Sequence, residues 1–195
     1  MSTVEASAQT TPVSPKRADA RRNRERVLAA AREAFARGGE STALEEIARR
    51  AGVGIGTLYR HFPNRQALLE ALYVNEVEEV CRSAERLDDA DPWQALNDWF
   101  ERLIGYLATK RALAHELMNY LDADAALFKE CRAGLFSAGE PLLKRAQDAG
   151  AVRPDIEFSQ VMHMVVGISK IPGHPDQIEH ILRVALDGLR YQPQA

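Results

Sequence analysis

The chain has 195 residues, of which 46% are hydrophobic and 27% charged, as expected for a globular protein with one sizeable core or with a small domain fused to a larger one. No stretch approaches the roughly 20 apolar residues that a membrane span requires, and residues 1–15 lack the apolar segment of a signal peptide. We therefore expect a cytoplasmic protein with a disordered polar tail at residues 1–15. Cys81 and Cys131 show no metal-ligand spacing and are expected to be reduced, half-buried residues.

Charge is unevenly distributed along the chain. Residues 1–65 contain twelve Lys or Arg and seven Asp or Glu, a balance of +5, whereas the remaining 130 residues have a balance of −8. This asymmetry indicates that only the N-terminal third meets a polyanion. Charge by itself leaves two kinds of polyanion open, nucleic acid and an anionic membrane surface.

Hydrophobic periodicity of about 3.6 residues predicts helix through nearly the whole chain. A first helix stops at the Gly38-Gly39 pair, and Thr42 and Glu45 form a capping-box pattern that opens a short second helix. A sharp turn is expected at Gly52, because glycine adopts positive φ readily. The third helix should begin near residue 54 and end by residue 62, since proline at 63 disfavours helical geometry just before it.

The remaining helices have recognisable start signals. Asn64 can cap a long fourth helix, and Asp91-Pro92 supplies a cap and a proline at the first helical position of a fifth. No alternating apolar run is long enough to predict a strand, so we expect an all-α fold. Later helices are predicted near 111–121, 124–149 (with a break or kink at Pro141), 156–170 and 176–190.

The sequence AGVGIGTLYRHFPNR, residues 51–65, contains the chemistry that points to a function. Two short helices joined by a glycine-containing turn make a helix-turn-helix, with Leu58 and Phe62 facing inward. Thr57, Arg60 and His61 lie on the opposite arc. Glycines at 54 and 56 let the helix N-terminus approach a large partner closely, and its unpaired N–H groups favour phosphate. The roughly 12 Å major groove of duplex DNA accepts such a helix.

The segment TALEEIARRAGVGIGTLYRHFPNRQALLEAL resembles the DNA-binding head of TetR-family (tetracycline-repressor-like) transcriptional regulators, over about residues 20–72. The segment DPWQALNDWFERLIGYLATKRALAHEL is similar to the SbtR-like type of C-terminal domain in that family. The resemblance implies a homodimer with a three-helix helix-turn-helix DNA-binding domain at 16–66 and a helical-bundle ligand-binding and dimerisation domain at 67–195. It also implies a repressor that a small-molecule effector releases from a pseudo-palindromic double-stranded operator. The effector's identity does not carry over.

Individual DNA contacts follow from the same resemblance. Tyr59, His61 and Arg65 match phosphate-contacting positions, and Arg60 is the candidate base reader because its fork matches guanine O6 and N7. Simpler interpretations stay open, with Thr57 as a local cap and Arg60 as a phosphate contact alone. The predicted DNA-binding residues are Thr42, Ile55, Gly56, Thr57, Tyr59, Arg60, His61, Arg65, Arg17 and Arg21.

The two arginines at 17 and 21 belong to a basic run that we place before the first helix, from Lys16 to Arg22. Such a run is either a solvated face or an arm that follows the DNA backbone or enters a minor groove. Arg26 is expected to be a solvated surface residue. Ile55 would touch a thymine methyl group or pack inward.

The C-terminal two thirds should contain the ligand site, although aromatic stripes on helices more often form plain core. The spacing of its histidines makes no metal motif, and we expect neither a metal nor a cofactor. We place His115, Tyr120 and His163 as polar anchors of the ligand. The predicted ligand-binding residues are Trp99, Phe100, Tyr106, His115, Met118, Tyr120, Phe128 and His163.

Dimerisation is predicted through the last two helices, which carry apolar stripes that would build a four-helix interface with a two-fold copy. Two other classes of protein stay open: a helical module whose basic end binds an acidic protein, and a small helical enzyme acting through His115 or His163. We expect no catalysis, because no catalytic constellation is evident. The predicted interface residues are Val161, Val165, Ile178, Ile181, Leu182, Ala185 and Leu189.

Overall fold

The computed structural model describes residues 15–38, 42–87 and 90–190, and its secondary structure confirms the predicted all-α class. Within those ranges the one β-type pairing is an isolated antiparallel bridge between Val152 and Arg190. No helix in the described ranges has the length and apolarity needed to cross a membrane. The described helices are α1 (Pro15–Gly38), α2 (Leu44–Ala51), α3 (Ile55–His61), α4 (Arg65–Glu85), α5 (Pro92–Leu117), α6 (Ala126–Asp148), α7 (Phe158–Ser169) and α8 (Pro175–Asp187).

Backbone contacts divide the chain into two compact units between Pro63 and Asn64. We call the unit with α1–α3 the head and the unit with α4–α8 the body. The domain boundary expected from the sequence, between residues 66 and 67, lies three residues further along the chain. The predicted disordered tail at 1–15 lies outside the described residues except for Pro15, which begins α1.

The basic run from Lys16 to Arg22 is helical, which corrects the expectation of an arm that precedes the first helix. Proline is favoured at the first helical position, and the alanines and arginines that follow have high helix propensity. Arg21 forms a surface ion pair with Glu25 one turn along, with its Nε 3.6 Å from the Glu25 Oε1. Helix propensity and i,i+4 pairing therefore extend α1 well beyond its apolar stripe.

Two of the three predicted helix caps are confirmed. The Asn64 side chain accepts a hydrogen bond from the Ala67 N–H at 2.8 Å, and Asp91 accepts one from the Gln94 N–H at 3.0 Å. The capping box at the start of α2 is wrong, because α2 is capped at residue 43 without a side-chain bond. The Thr42 hydroxyl instead donates to the Ala34 carbonyl oxygen of α1 at 3.2 Å, so it ties two elements of the head together.

The body also differs from expectation in two long helices. Helix α5 runs without interruption to Leu117, so the separate helix predicted at 111–121 is wrong. Helix α6 continues through Pro141, so a break there is excluded, and a kink at this residue stays a prediction. Proline in a helix interior costs about 3 kcal/mol, which tertiary packing can offset. Helix α6 packs along both α4 and α5.

An aromatic cluster forms the centre of the body. Trp99 and Phe100 of α5 pack against Phe158 of α7, with ring centroids 5.9 and 6.1 Å from it, and Phe136 of α6 meets the same ring at 5.3 Å. The Trp99 indole N–H donates to the Val80 carbonyl oxygen at 3.2 Å, which satisfies its polar atom inside the core. The cluster joins α4, α5, α6 and α7.

Gly139 is expected to be intolerant of even one methyl group. A Cβ built there would lie 2.5 Å from Trp99 Cη2 and would overlap Phe158 as well. We expect Gly139→Ala to lower the free energy of unfolding by about 2 kcal/mol, the cost typical of overpacking a core. The matched control is Gly134→Ala on the same helix, where the nearest atom would be Cys81 Sγ at 3.7 Å. Urea denaturation should show the control unchanged or slightly stabilised, and equal midpoints for the two variants would contradict this packing.

Candidate nucleic-acid interface and body cavity

The turn between α2 and α3 is built on a left-handed residue. Gly52 has φ of +62°, and its N–H donates to the Arg49 carbonyl oxygen at 3.1 Å, while the Val53 N–H reaches the Ala48 carbonyl oxygen at 3.0 Å. These two bonds form the helix C-cap that glycine favours, because the left-handed conformation costs other residues about 1–2 kcal/mol. The sequence prediction of a sharp turn at this glycine is confirmed.

Two arginines of α1 hold the ends of the segment that carries α3. The Arg26 Nη2 donates to the Gly52 carbonyl oxygen at 2.9 Å, just before α3. The Arg24 guanidinium lies over the Phe62 ring, 5.6 Å from its centroid, just after α3. Arg26 is therefore not merely a solvated residue, as the sequence suggested. Both roles depend on contacts across more than 25 residues of chain, for which the sequence gives no signal.

Helix α3 presents one open, polar face. Its N-cap, Gly54, makes no side-chain bond, and a Cβ added at residue 54 or 56 would meet nothing within 4 Å. Leu58 is fully buried and fixes the inward side of the helix. The predicted contacts at 55, 56, 59 and 60 are exposed, and those at 57 and 61 are half-buried. Tyr59, at 43% exposure, is more open than Ile55, the other large hydrophobic side chain exposed on this helix. These residues share one accessible surface.

The other predicted DNA contacts lie in different settings. Thr42 is half-buried and bonded to α1, as described above. Arg21 is exposed on α1, and the side chain of Arg17 lies outside what the structure describes. Arg65 begins α4 and is engaged within the body. DNA contact by these four residues stays a prediction.

Arg65 forms an ion pair with a carboxylate that is almost entirely buried. Its Nε and Nη2 lie 2.6 and 2.5 Å from Glu116 Oε1, and the Glu116 side chain is only 6% exposed. The two residues are 51 positions apart, at the start of α4 and the end of α5. A buried carboxylate requires such a partner, because burying an unpaired charge costs several kcal/mol. Arg65 therefore anchors the beginning of α4 to α5.

The body contains a cavity of about 870 Å³ between α4 and α6. Its volume lies within the 300–1,000 Å³ range typical of small-molecule sites. The lining combines apolar side chains with three glutamates, one arginine and both cysteines of the chain. The lining residues are Val74, Val77, Glu78, Cys81, Arg82, Ala84, Glu85, Leu127, Glu130, Cys131, Gly134, Ser137, Ala138, Pro141 and Leu142.

None of the eight predicted ligand-binding residues lines this cavity. Trp99 and Phe100 belong to the aromatic cluster, and Tyr106 and Phe128 pack around Tyr73, whose pKa burial raises to about 12. The other four, His115, Met118, Tyr120 and His163, are exposed. Ligand binding by these residues stays a prediction. Three small residues of α6, Gly134, Ser137 and Ala138, leave space beside α4, but small residues on a helix are only a weak sequence signal for a cavity.

The predicted dimer stripes divide into two groups. Val161, Val165, Leu182 and Leu189 are at most 4% exposed and belong to the protomer's own core, which corrects their assignment as interface residues. Ile178, Ile181 and Ala185 are half-buried. The most exposed large apolar side chain of α8 is Val184, at 60%, and it lies on a different face from the predicted stripe. Helical periodicity identifies an apolar face but does not say whether the covering partner is the same chain or a second copy.

Comparison with known proteins gives a consistent result. Residues 27–72 match the family model described as bacterial regulatory proteins of the tetR family, and residues 91–191 match the SbtR-like transcriptional regulator C-terminal domain. The transcriptional repressor KstR of Mycolicibacterium smegmatis is 36% identical over 135 residues, covering 62% of this chain and 66% of the relative.

Solved structures resemble the fold over most of the chain. The TetR transcriptional regulator SCO0520 from Streptomyces coelicolor is 39% identical, with a TM-score of 0.77 and coverage of 86% of this chain and 98% of the other. A TetR regulatory protein from Mycobacterium vanbaalenii is 36% identical, also at a TM-score of 0.77, with coverage of 91% and 100%.

Proposed function

Because the chain belongs to the TetR family of transcriptional regulators, we propose that it is a homodimeric repressor which a small molecule releases from its operator. Regulators of this family are DNA-binding helix-turn-helix proteins that act as dimers and respond to small-molecule effectors. The observation that carries the proposal is the exposed polar face of α3 behind an open glycine N-terminus. Such a protein would work in the cytoplasm, associated with the nucleoid when bound to DNA, and would catalyse no reaction.

On DNA, α3 would enter the major groove, and the N–H groups at its N-terminus would favour a nearby phosphate. Arg60 is exposed and would read a guanine, whereas Tyr59 and His61 would contact phosphates. Thr57 would contact a phosphate or a base edge. The phosphate contacts would supply most of the affinity and a strong salt dependence, because each one releases condensed counterions. Arg24 and Arg26 would act as positioning residues, since they hold the segments on either side of α3.

Dimerisation would use the surface of α7 and α8 that the protomer leaves exposed. On α8 this surface includes His180 and Val184, with half-buried Ile181 beside them, and on α7 it includes His163 and the small residue Gly167. A two-fold copy placed there would cover Val184, which is otherwise a large apolar side chain in water. Two heads in such a dimer would read half-sites about 34–36 Å apart, or a multiple of that distance.

Effector release would proceed through α4. This helix lines the cavity with Val74, Val77 and Cys81, and its first residue, Arg65, follows the head by only two positions in the chain. A ligand that favours a different position of α4 would change the spacing of the two heads. It must favour that state by about 1.4 kcal/mol for every tenfold loss of operator affinity.

Selection of bound fragments from a random pool of duplex DNA tests the proposal. We expect the selected sequences to share an inverted repeat with half-sites at the spacing given above. Binding in a gel-retardation assay should be sequence-selective and should weaken steeply with salt. Recovery of no common sequence would contradict the proposal and would favour a module whose basic head binds an acidic protein.

Gly56→Ala tests the close approach of α3 to DNA. The added methyl group meets nothing within 4 Å, so the fold should be unaffected. On the complex, however, the methyl group would lie between the helix N-terminus and the DNA backbone. We expect about a tenfold loss of affinity for the selected operator, equivalent to losing one good hydrogen bond. Gly105→Ala in α5 is the control, because its methyl group also meets nothing within 4 Å. Equal operator affinities for the two variants would contradict the proposed docking.

A further inference from the structure

The floor of the cavity between α4 and α6 is apolar, while its rim is acidic. Val77, Ala84 and Leu142 are buried at the floor, and Val74 and Leu127 are half-buried beside them. Glu78 and Glu85 of α4 and Glu130 of α6 are all exposed around this floor. The lining contains three acidic side chains and a single basic one, Arg82.

The three carboxylates form no salt bridge with any residue in the described ranges. Arg82 lies one turn from Glu78, but its Nε donates to the Glu78 backbone carbonyl oxygen at 3.2 Å instead of pairing with a carboxylate. Some exposed acids elsewhere on the body do have a basic partner: Arg153 Nε lies 2.6 Å from Asp155 Oδ1, and Arg183 Nη2 lies 2.8 Å from Glu179 Oε1. The rim of the cavity is therefore a place where negative charge is left uncompensated.

The field of this rim reaches the cavity lining. Cys81, which is half-buried, has a raised pKa because burial disfavours its thiolate and because Glu78 and Glu85 oppose a second negative charge. Its side chain consequently remains a neutral, polarisable thiol. An anionic ligand in the cavity would meet the same opposition as the thiolate, whereas a cation would be stabilised.

We infer that the effector of this cavity is an apolar, preferably aromatic molecule that carries a positive charge. The apolar floor would bind its hydrophobic body, and Glu78, Glu85 and Glu130 would compensate its charge at the rim. The inference rests on the proposed function in naming this molecule an effector. The charge preference of the cavity can be tested without any operator.

A pair of ions with the same shape and opposite charge gives the most direct test. Tetraphenylphosphonium and tetraphenylborate both present four phenyl rings, so they differ in little except the sign of the charge. Isothermal titration calorimetry on the full-length protein should show the phosphonium binding at least about tenfold more tightly. Equal affinities for tetraphenylborate and tetraphenylphosphonium would overturn the inference, and so would an absence of tetraphenylphosphonium binding at millimolar concentration.

Substitution at the rim assigns the preference to the cavity. The double variant Glu78→Gln/Glu130→Gln removes one carboxylate from each wall and should weaken phosphonium binding about fivefold, as expected for two partly exposed ion pairs. The control Glu79→Gln/Glu140→Gln changes the net charge equally on the same two helices, but neither residue lines the cavity. Equal losses in the two double variants would indicate a general effect of charge and would overturn the inference.

The chain's two cysteines give a second, independent readout, because both line the cavity and the sequence contains no others. Phosphonium should slow labelling of Cys81 by Ellman's reagent in a Cys131→Ser protein, and Ala138→Phe, which places a bulky ring in the cavity, should reduce that protection. Unchanged labelling on phosphonium addition would contradict binding at this site. If phosphonium binds but leaves the selected operator bound, the inference on charge stands and effector release fails. If an uncharged compound releases the operator and phosphonium does not bind, effector release stands and the inference on charge fails.

Discussion

Replacement of Arg65 by alanine is expected to lower the free energy of unfolding of the body by about 3 kcal/mol. The substitution removes the guanidinium that lies 2.5 Å from Glu116 Oε1 and leaves that carboxylate nearly buried without this cation. The loss arises mainly from the desolvated charge left behind and only partly from the attraction itself. Urea denaturation followed by tryptophan fluorescence will report it, because both tryptophans of the chain lie in the body.

The matched control for this prediction is Arg153→Ala, which also lies in the body. Arg153 forms an ion pair, with its Nε 2.6 Å from Asp155 Oδ1, but its side chain is 49% exposed. Exposed pairs of this kind contribute about 0–1 kcal/mol, so the unfolding midpoint should hardly move. The double variant Arg65→Met/Glu116→Leu should recover most of the stability lost in Arg65→Ala, since neither charge remains. Equal shifts for the two alanine variants would contradict the buried-pair assignment.

The same variant separates two roles for Arg65 on DNA. If Arg65 also contacts a phosphate, as the family resemblance implies, Arg65→Ala should reduce the slope of log affinity against log salt by about one. The measurement belongs at a temperature where the variant is folded. A slope identical to that of the parent would assign Arg65 to the structure of the body alone.

Arg60→Ala is expected to lose base discrimination at one position of each half-site. A bidentate arginine contributes about 1–3 kcal/mol of discrimination against the wrong base pair, which corresponds to roughly 10- to 100-fold in relative affinity. Arg60 is exposed on α3, and no salt bridge to it is present within the described ranges, so its removal should not disturb the head. Competition binding between the selected operator and single-base variants of it will measure the loss.

Arg60→Lys distinguishes base reading from simple charge. Lysine retains the positive charge for phosphate but lacks the planar fork that matches guanine. We therefore expect Arg60→Lys to keep the salt dependence of the parent while losing most of its discrimination at that position. A lysine variant that discriminates as well as the parent would show that residue 60 contacts phosphate and that another residue reads the base.

The elements predicted correctly are those whose signals are local. Asn64 and Asp91 cap their helices because each side-chain oxygen accepts a hydrogen bond from the N–H three residues later, and this bond requires no contact with a distant part of the chain. The end of α3 at residue 61 follows from the adjacent proline in the same way. Thr42 was expected to cap α2 from a local pattern of the same kind, but its hydroxyl donates to a carbonyl oxygen of α1.

The predicted ligand site in the body depends on contacts between helices that are distant in the sequence, and ligand binding there stays a prediction. Trp99 and Phe100 have the residue types of a binding pocket, yet the arrival of Phe158 from another helix makes them core. The dimer stripe failed at Leu182 because periodicity shows which face of a helix is apolar and not what covers it. The cavity depends on small residues of α6 that face α4, and such residues carry no strong signal of their own.

The helical class and the helix-turn-helix follow from the amino-acid sequence alone, because each depends on periodicity, caps and turns within a few residues of chain. The folded structure was needed to show that Arg26 holds the turn at Gly52, that Arg65 neutralises Glu116, and that the cavity lies between α4 and α6. These contacts join segments from 26 to more than 50 residues apart. Their energies come from desolvation and packing between surfaces that meet only when the chain has folded.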